Sequence, residues 1–191
     1  MLYSLLRNWC LGVEALVVWV GRLTSLAVPL LAFVVAFEVV ARYIFNHPTI
    51  WAYDVSLFIF GYIGALCGAF AQQRKAHINV DILYLSVSQR WKNLFNLLSY
   101  LLGGFFLVII FQLAFGKAEE AIEFDYRRQS EWAPSMIHFW IMIDVASALF
   151  LLQLSADFLQ NLWQLFTGKP LLDKYALDDA ADAASEGGKG A

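Results

Sequence analysis

The stretch Trp51–Gln72, which reads WAYDVSLFIFGYIGALCGAFAQ, carries one acidic residue, Asp54, and is otherwise almost entirely apolar. A helix of about 20 such residues crosses a hydrocarbon core of roughly 30 Å, since each residue rises about 1.5 Å. Three further blocks share this length and character: Leu23–Ile44, Leu94–Gly116 and Ile137–Trp163. The sequence therefore predicts an all-α membrane protein with four transmembrane helices.

The composition of the whole chain agrees with this prediction. The 191 residues are 60% hydrophobic, and the mean hydropathy of +0.60 exceeds what a soluble domain of this size can bury. The net charge is −3 and the basic residues are scattered, which gives no basis for nucleic-acid binding. Cys10 and Cys67 lack a C-x-x-C spacing, so neither a disulfide framework nor a thiol-redox centre is expected.

The loop cations predict that both termini lie in the cytoplasm, because the inner side of a membrane protein carries more of them. The inner group is Arg7, Arg74, Lys75, Arg90, Lys92, Lys169 and Lys174, and the outer group is Arg42, Lys117, Arg127 and Arg128.

The chain divides into three predicted regions. We expect residues 1–22 to form an interfacial helix or an inward extension of the first span, with no cleaved signal peptide. Residues 23–166 form the four-helix transmembrane domain, with a second amphipathic segment in the inner loop Arg74–Asn93. Residues 167–191 form a cytoplasmic tail that is too polar to order for most of its length.

A very short outer turn, Asn46-His47-Pro48, makes the first two helices antiparallel neighbours. Glu38 and Arg42 are four residues apart on the first helix, and Asp54 opens the next helix just across the turn. We predict that Arg42 bridges both carboxylates as a structural brace near the outer surface. A place for these groups in an ion pathway is the competing interpretation.

Small residues recur along the second span at Gly61, Gly64 and Gly68. Such spacing lets another helix approach closely in a bilayer, where dispersion replaces the hydrophobic driving force. The second span is therefore expected to pack on protein, which is either its own bundle or a partner. The third span, rich in Leu, Phe and Ile, is expected to face lipid.

Asp144 lies just inside Trp140, which marks the outer interface of the fourth span. An ionised carboxylate at the bilayer centre costs about 2.5–3.5 kcal/mol on insertion scales, so Asp144 needs a partner. We interpret it as a contact to a partner helix. A proton or sodium site is the alternative, but the sequence shows neither a second acid nor a helix break beside it.

The three histidines do not predict a haem or metal site. His47, His77 and His138 fall in the outer turn, in the inner loop and at the start of the fourth helix, so no two share a membrane depth on facing spans. We expect no cofactor and no enzymatic activity. His77 and Asp81 belong either to a turn that positions the inner amphipathic segment against a partner or to a solvated polar turn.

The order of these features resembles the small membrane subunit of tripartite ATP-independent periplasmic (TRAP) transporters, the DctQ-like family. The likeness covers about residues 15–165 and is nearest to the subgroup named for mannitol or chloroaromatic compounds, a label that fixes no substrate. Many relatives carry Glu where this chain has Asp54. The matching segments are Ala41–Asn46, Trp51–Asp54, Gly61–Gly68, His77–Asp81 and Ser130-x-Trp132-x-Pro134.

This resemblance implies a complex in the bacterial inner membrane. Its other members are a large permease subunit, which holds the substrate and sodium sites and moves as an elevator, and a periplasmic binding protein that delivers a small organic anion. The chain itself then serves as a scaffold among membrane lipids. We hypothesise that its charged segment Lys117–Glu131 contacts the binding protein, whereas the alternative is that the chain only steadies the large subunit. Structural or partner-interface roles are expected for Arg42, Trp51, Asp54, Gly61, Gly64, Gly68, His77, Asp81, Trp132 and Asp144.

Two other classes of function compete with this one. The first is a self-sufficient transporter or channel that works as a homo-oligomer with Glu38, Asp54 or Asp144 as its ion-coupled acid. The second is a haem- or quinone-linked membrane anchor of an oxidoreductase, which predicts a Soret band in the purified protein.

Overall fold

The structure is a computed structural model that describes residues 2–74, 89–168 and 171–172. The described residues form α1 (Leu2–Ser25), α2 (Ala27–Tyr43), α3 (Ala52–Gln73), α4 (Gln89–Glu123) and α5 (Ile137–Thr167). Since α1 and α2 follow each other almost without interruption, these helices supply four segments able to cross a membrane. The predicted all-α fold with four spans is confirmed, whereas the orientation of the termini stays a prediction.

The helix is interrupted between α1 and α2 at Leu26, inside the predicted block Leu23–Ile44. Pro29 explains the position of this break, because it has no N–H to donate to the carbonyl of Ser25 one turn earlier. Proline is tolerated in the first turn of α2, where backbone N–H groups have no partner within the helix. The first span is therefore built from two consecutive helices rather than from one.

The four spanning helices lie in an open row in the order α2, α3, α5, α4. In the part of the chain that the structure describes, α4 packs along α5, α5 along α3 and α3 along α2, but α4 has no extended packing with α3 or α2. The row consequently has two broad apolar faces. Large side chains such as Phe33, Phe60 and Phe105 are about two-thirds exposed on them, at 67%, 66% and 67%.

The first helix, α1, packs against both α3 and α5 near the ends of these helices that lie away from the α2–α3 turn. We call this side of the helices the inner end and the side with the α2–α3 turn the outer end. Cys10, Val13 and Val17 recur on one face of α1 and are buried in the main apolar cluster. Gly168 ends α5 with a φ of 68°, a left-handed conformation that glycine adopts at little cost. After this turn Leu171 and Leu172 are buried in the same cluster.

The third span is longer than its predicted apolar block. Helix α4 continues past Gly116 to Glu123, because Ala118 and Ala121 stay buried and Lys117 pairs with Glu120 one turn later. The helix therefore extends seven residues beyond the predicted block. Only 6% of the most apolar window of α4 is buried, and the expectation that this span faces lipid stays a prediction.

Candidate functional site

Asp54 is the centre of a polar site at the outer end of the helices, where α3 begins. It is the third residue of α3 and is fully buried, at 0% exposure. Arg128 Nε lies 2.7 Å from Asp54 Oδ1, and the hydroxyl of Ser130 donates to Asp54 Oδ2. The start of a helix also favours a negative charge. These three residues, which we call the outer corner, tie the α4–α5 loop to α3.

The loop that supplies Arg128 and Ser130 is held by its own hydrogen bonds. The backbone N–H of Arg128 donates to Pro134 O at 2.9 Å, and that of Met136 donates to Tyr126 O at 2.9 Å. The Arg128 guanidinium also lies over the Tyr53 ring, 5.7 Å from its centroid. The loop is thereby fixed in one shape that presents Trp132, which is 43% exposed.

The structure corrects the predicted role of Arg42. Its Nη2 lies 2.6 Å from Glu38 Oε1, as the spacing of four residues predicts. The other oxygen, Glu38 Oε2, accepts hydrogen bonds from the backbone and side chain of Thr49 in the outer turn. The prediction that Arg42 also bridges Asp54 is wrong, because Arg128 from the distant loop already occupies that carboxylate.

Trp51, immediately before α3, closes the same turn on its apolar side. Its ring stacks on Phe37 of α2 at 5.9 Å. The ring and the Glu38–Thr49 hydrogen bonds therefore hold the α2–α3 corner from two sides.

The three predicted packing glycines of α3 have different surroundings. A Cβ added at Gly61 would lie 2.8 Å from Phe139 of α5, and one at Gly68 would lie 3.5 Å from Phe150 of α5. Both residues therefore serve packing within the chain. Gly64 has no atom within 4 Å of an added Cβ. Of the three, Gly64 alone offers room for a second protein.

Asp144 lies on α5 below the outer end and is half-buried. Its Oδ1 is buried, and no hydrogen-bond partner for it is present among the described residues. The contact of this carboxylate with a partner helix therefore stays a prediction.

A buried polar cluster at the inner end was missed by the sequence analysis. Gln153 is fully buried and donates to Asp157 Oδ1 at 3.0 Å, while Gln72 of α3 donates to Asp157 Oδ2 at 3.2 Å. Gln160 donates to Glu14 Oε1 of α1 at 3.0 Å. These bonds join α1, α3 and α5. The available signal was the spacing of four residues between Gln153 and Asp157.

Of the histidines considered for a site, the structure gives contacts for His138 but does not describe His77. The Tyr62 hydroxyl is bonded to His138 Nδ1, and the His138 ring meets Phe58 edge-on at 4.7 Å, so His138 links α3 to the start of α5. His77 and Asp81 lie outside the described residues. Within the described ranges no group of three His, Cys, Asp or Glu side chains is placed to hold a metal ion.

Comparison with known proteins identifies a related family. The family model described as "Tripartite ATP-independent periplasmic transporters, DctQ component" matches residues 31–166. This stretch runs from the second turn of α2 to the last turn of α5 and includes the whole of the outer corner. No curated protein matches the chain.

Proposed function

The chain belongs to the DctQ family, the small component of tripartite ATP-independent periplasmic transporters, and from this premise we propose that it is the membrane scaffold of a sodium-coupled importer. The family makes it a multi-pass component of a transporter in the bacterial inner membrane. In the proposed complex, a large permease subunit carries the substrate and sodium sites. This chain holds the static part of that subunit in the bilayer.

The open row of helices is the observation that carries this proposal. A closed four-helix bundle buries one side of every helix, whereas α2 and α4 here each pack along one neighbour at the two ends of the row. Such a slab offers a second membrane protein a long, rigid apolar wall. Gly64 adds a place on α3 where a partner helix can approach closely.

We propose that the outer end of the slab docks the periplasmic binding protein through its negative charge. The cations of the outer segment are engaged within the chain, since Lys117 pairs with Glu120, Arg127 with Asp125 and Arg128 with Asp54. The segment also carries Glu119, Glu123 and Glu131, for which no such ion pair is present among the described residues. This negative surface supports docking of a binding protein that delivers a small organic anion.

Reconstitution into liposomes tests the proposal. We expect sodium-driven uptake only when this chain, the large subunit and the loaded binding protein are all present. The matched control omits this chain alone and should lose most of the uptake. Sodium-driven flux by this chain on its own would contradict the proposal and favour a self-sufficient homo-oligomeric transporter, with Asp144 as its first candidate for the coupled acid.

A further inference from the structure

An apolar groove of about 420 Å³ runs between α4 and α5. On the α5 side it is lined by Leu151, Ser155 and Phe158. Residues 7, 11 or 14 positions apart return to nearly the same side of an α-helix, so these three lie on the same face of α5 as Asp144. The groove and the carboxylate of Asp144 are therefore successive parts of one lateral surface.

On its α4 side, the groove lets a second helix come close to the backbone. Gly104 lines the groove, and an added Cβ there would meet no atom within 4 Å. Glycine at a helix surface lets a second helix approach the backbone closely in a membrane, where such contacts take the place of the hydrophobic effect. The groove is thus shaped for a helix as well as for an acyl chain.

Asp144 distinguishes these two occupants. Its side chain is only half-buried and makes no hydrogen bond or ion pair to the described residues, and a carboxylate within the bilayer needs a donor. A lipid acyl chain can fill the apolar groove but donates no hydrogen bond. A transmembrane helix with apolar residues along the groove and one donor side chain satisfies both parts of the surface.

We propose that the α4–α5 groove and Asp144 together bind one transmembrane helix of the large permease subunit. That helix donates a hydrogen bond to Asp144 from a basic or amide side chain and packs its apolar face between Gly104 and Leu151. The assignment rests on the proposed function, because it requires that a large subunit be bound. It goes further in stating which part of this chain holds that subunit and which chemistry the partner brings.

Photo-crosslinking in the intact complex tests the position. A photoreactive phenylalanine analogue replaces Leu151 in the groove, and a matched substitution of the exposed Leu5 on α1, outside the row of spanning helices, measures background labelling. We expect a crosslink from position 151 to the large subunit that exceeds the background several times. Crosslinks from position 151 to lipid alone, in a preparation that still contains the large subunit, would overturn the groove assignment and leave the proposed function standing. A preparation that contains no large subunit would count against the proposed function itself.

Substitution of Asp144 tests the polar contact. We expect Asp144→Leu to lower retention of the large subunit during washing about three- to tenfold, the range for losing one polar contact in a membrane interface. Asp144→Asn should retain most of it, because the amide still accepts a hydrogen bond. Val145→Leu, at the neighbouring exposed position, is the control.

The stability of the isolated chain provides the second readout. We expect Asp144→Leu to leave the unfolding temperature of the isolated chain unchanged or to raise it. Asp144 Oδ1 accepts no hydrogen bond among the described residues, so the substitution removes none there. Unchanged retention of the large subunit together with a less stable isolated chain would show that the carboxylate serves this chain's own fold, and would overturn the proposal.

Discussion

Arg128 and Asp54 form an ion pair that joins the α4–α5 loop to the first turn of α3, with Nε 2.7 Å from Oδ1. The Asp54 side chain is only 1% exposed and that of Arg128 is 29% exposed. The two outer loops of the chain are thereby fixed to each other, although the residues that join them are far apart in sequence. The pair therefore connects the α4–α5 loop directly to the start of α3.

Arg128→Ala should destabilise the isolated chain by about 3–5 kcal/mol, because it leaves a buried carboxylate without its cation. Thermal unfolding in mild detergent measures the loss. Arg127→Ala is the matched control, since Arg127 pairs with Asp125 on the surface and both side chains are more than half exposed. Equal shifts in Tm for the two variants would show that the Arg128–Asp54 pair stabilises the chain no more than an exposed ion pair does.

Alanine substitutions at two glycines of α3 should change stability in opposite directions. Gly61→Ala places a Cβ 2.8 Å from Phe139 and should cost about 1–3 kcal/mol, as overpacked sites do. Gly64→Ala meets open space and should stabilise the helix by about 0.5–1 kcal/mol. Unfolding of the isolated chain in detergent measures both effects. Destabilisation by Gly64→Ala would mean that Gly64 already packs within this chain.

Larger substitution at Gly64 should act on the complex. Gly64→Leu is expected to weaken recovery of the large subunit without destabilising this chain, because the added side chain enters space that only a partner would fill. Gly116→Leu, at another glycine with open surroundings, is the control. Normal recovery with Gly64→Leu would remove this part of α3 from the proposed interface.

Gln160→Leu should loosen α1 from the row. The substitution removes the hydrogen bond from Gln160 Nε2 to Glu14, which joins α5 to α1 at 3.0 Å, and leaves a buried acceptor with one donor fewer. Hydrogen exchange along α1 should become faster. Gln164→Leu, one turn later on α5, is the control and should leave exchange unchanged; the same increase in both variants would contradict a specific role for the Glu14–Gln160 bond.

Charge reversal at Glu119 and Glu123 should weaken docking of the binding protein. These residues are one turn apart on α4 at the outer end, so Glu119→Lys with Glu123→Lys converts a negative surface into a positive one. We expect a higher concentration of binding protein for half-maximal uptake, most clearly at low salt, where charge interactions reach furthest. Recovery of the large subunit is the control and should be unchanged. Unaltered uptake would place the docking surface elsewhere.

Local sequence patterns account for most of the fold. Apolar length predicts the four spans, and the Glu38–Arg42 spacing predicts the ion pair found on α2. The Arg128–Asp54 pair could not be predicted in this way, because its partners lie on different segments and Arg42 is nearer in sequence. The inner cluster was overlooked for a related reason: Gln72 and Gln153 are uncharged, so only their contacts to Asp157 in the folded chain reveal them.

The sequence alone also does not predict that the helices form an open row. Every span is apolar on several sides, so hydropathy does not tell whether α4 closes a bundle against α2 or lies at the end of a row. The pairing of Gly61 with Phe139 and of Gly68 with Phe150 fixes α3 beside α5. Those contacts depend on side-chain shapes that meet only in the folded molecule.

Affinity purification of this chain from native membranes in mild detergent, with mass spectrometry of the co-purifying proteins, tests the central claim most directly. The account predicts stoichiometric recovery of one large membrane protein with many more spans than this chain. Recovery of this chain alone as a homo-oligomer, under conditions that keep other inner-membrane complexes intact, would contradict it.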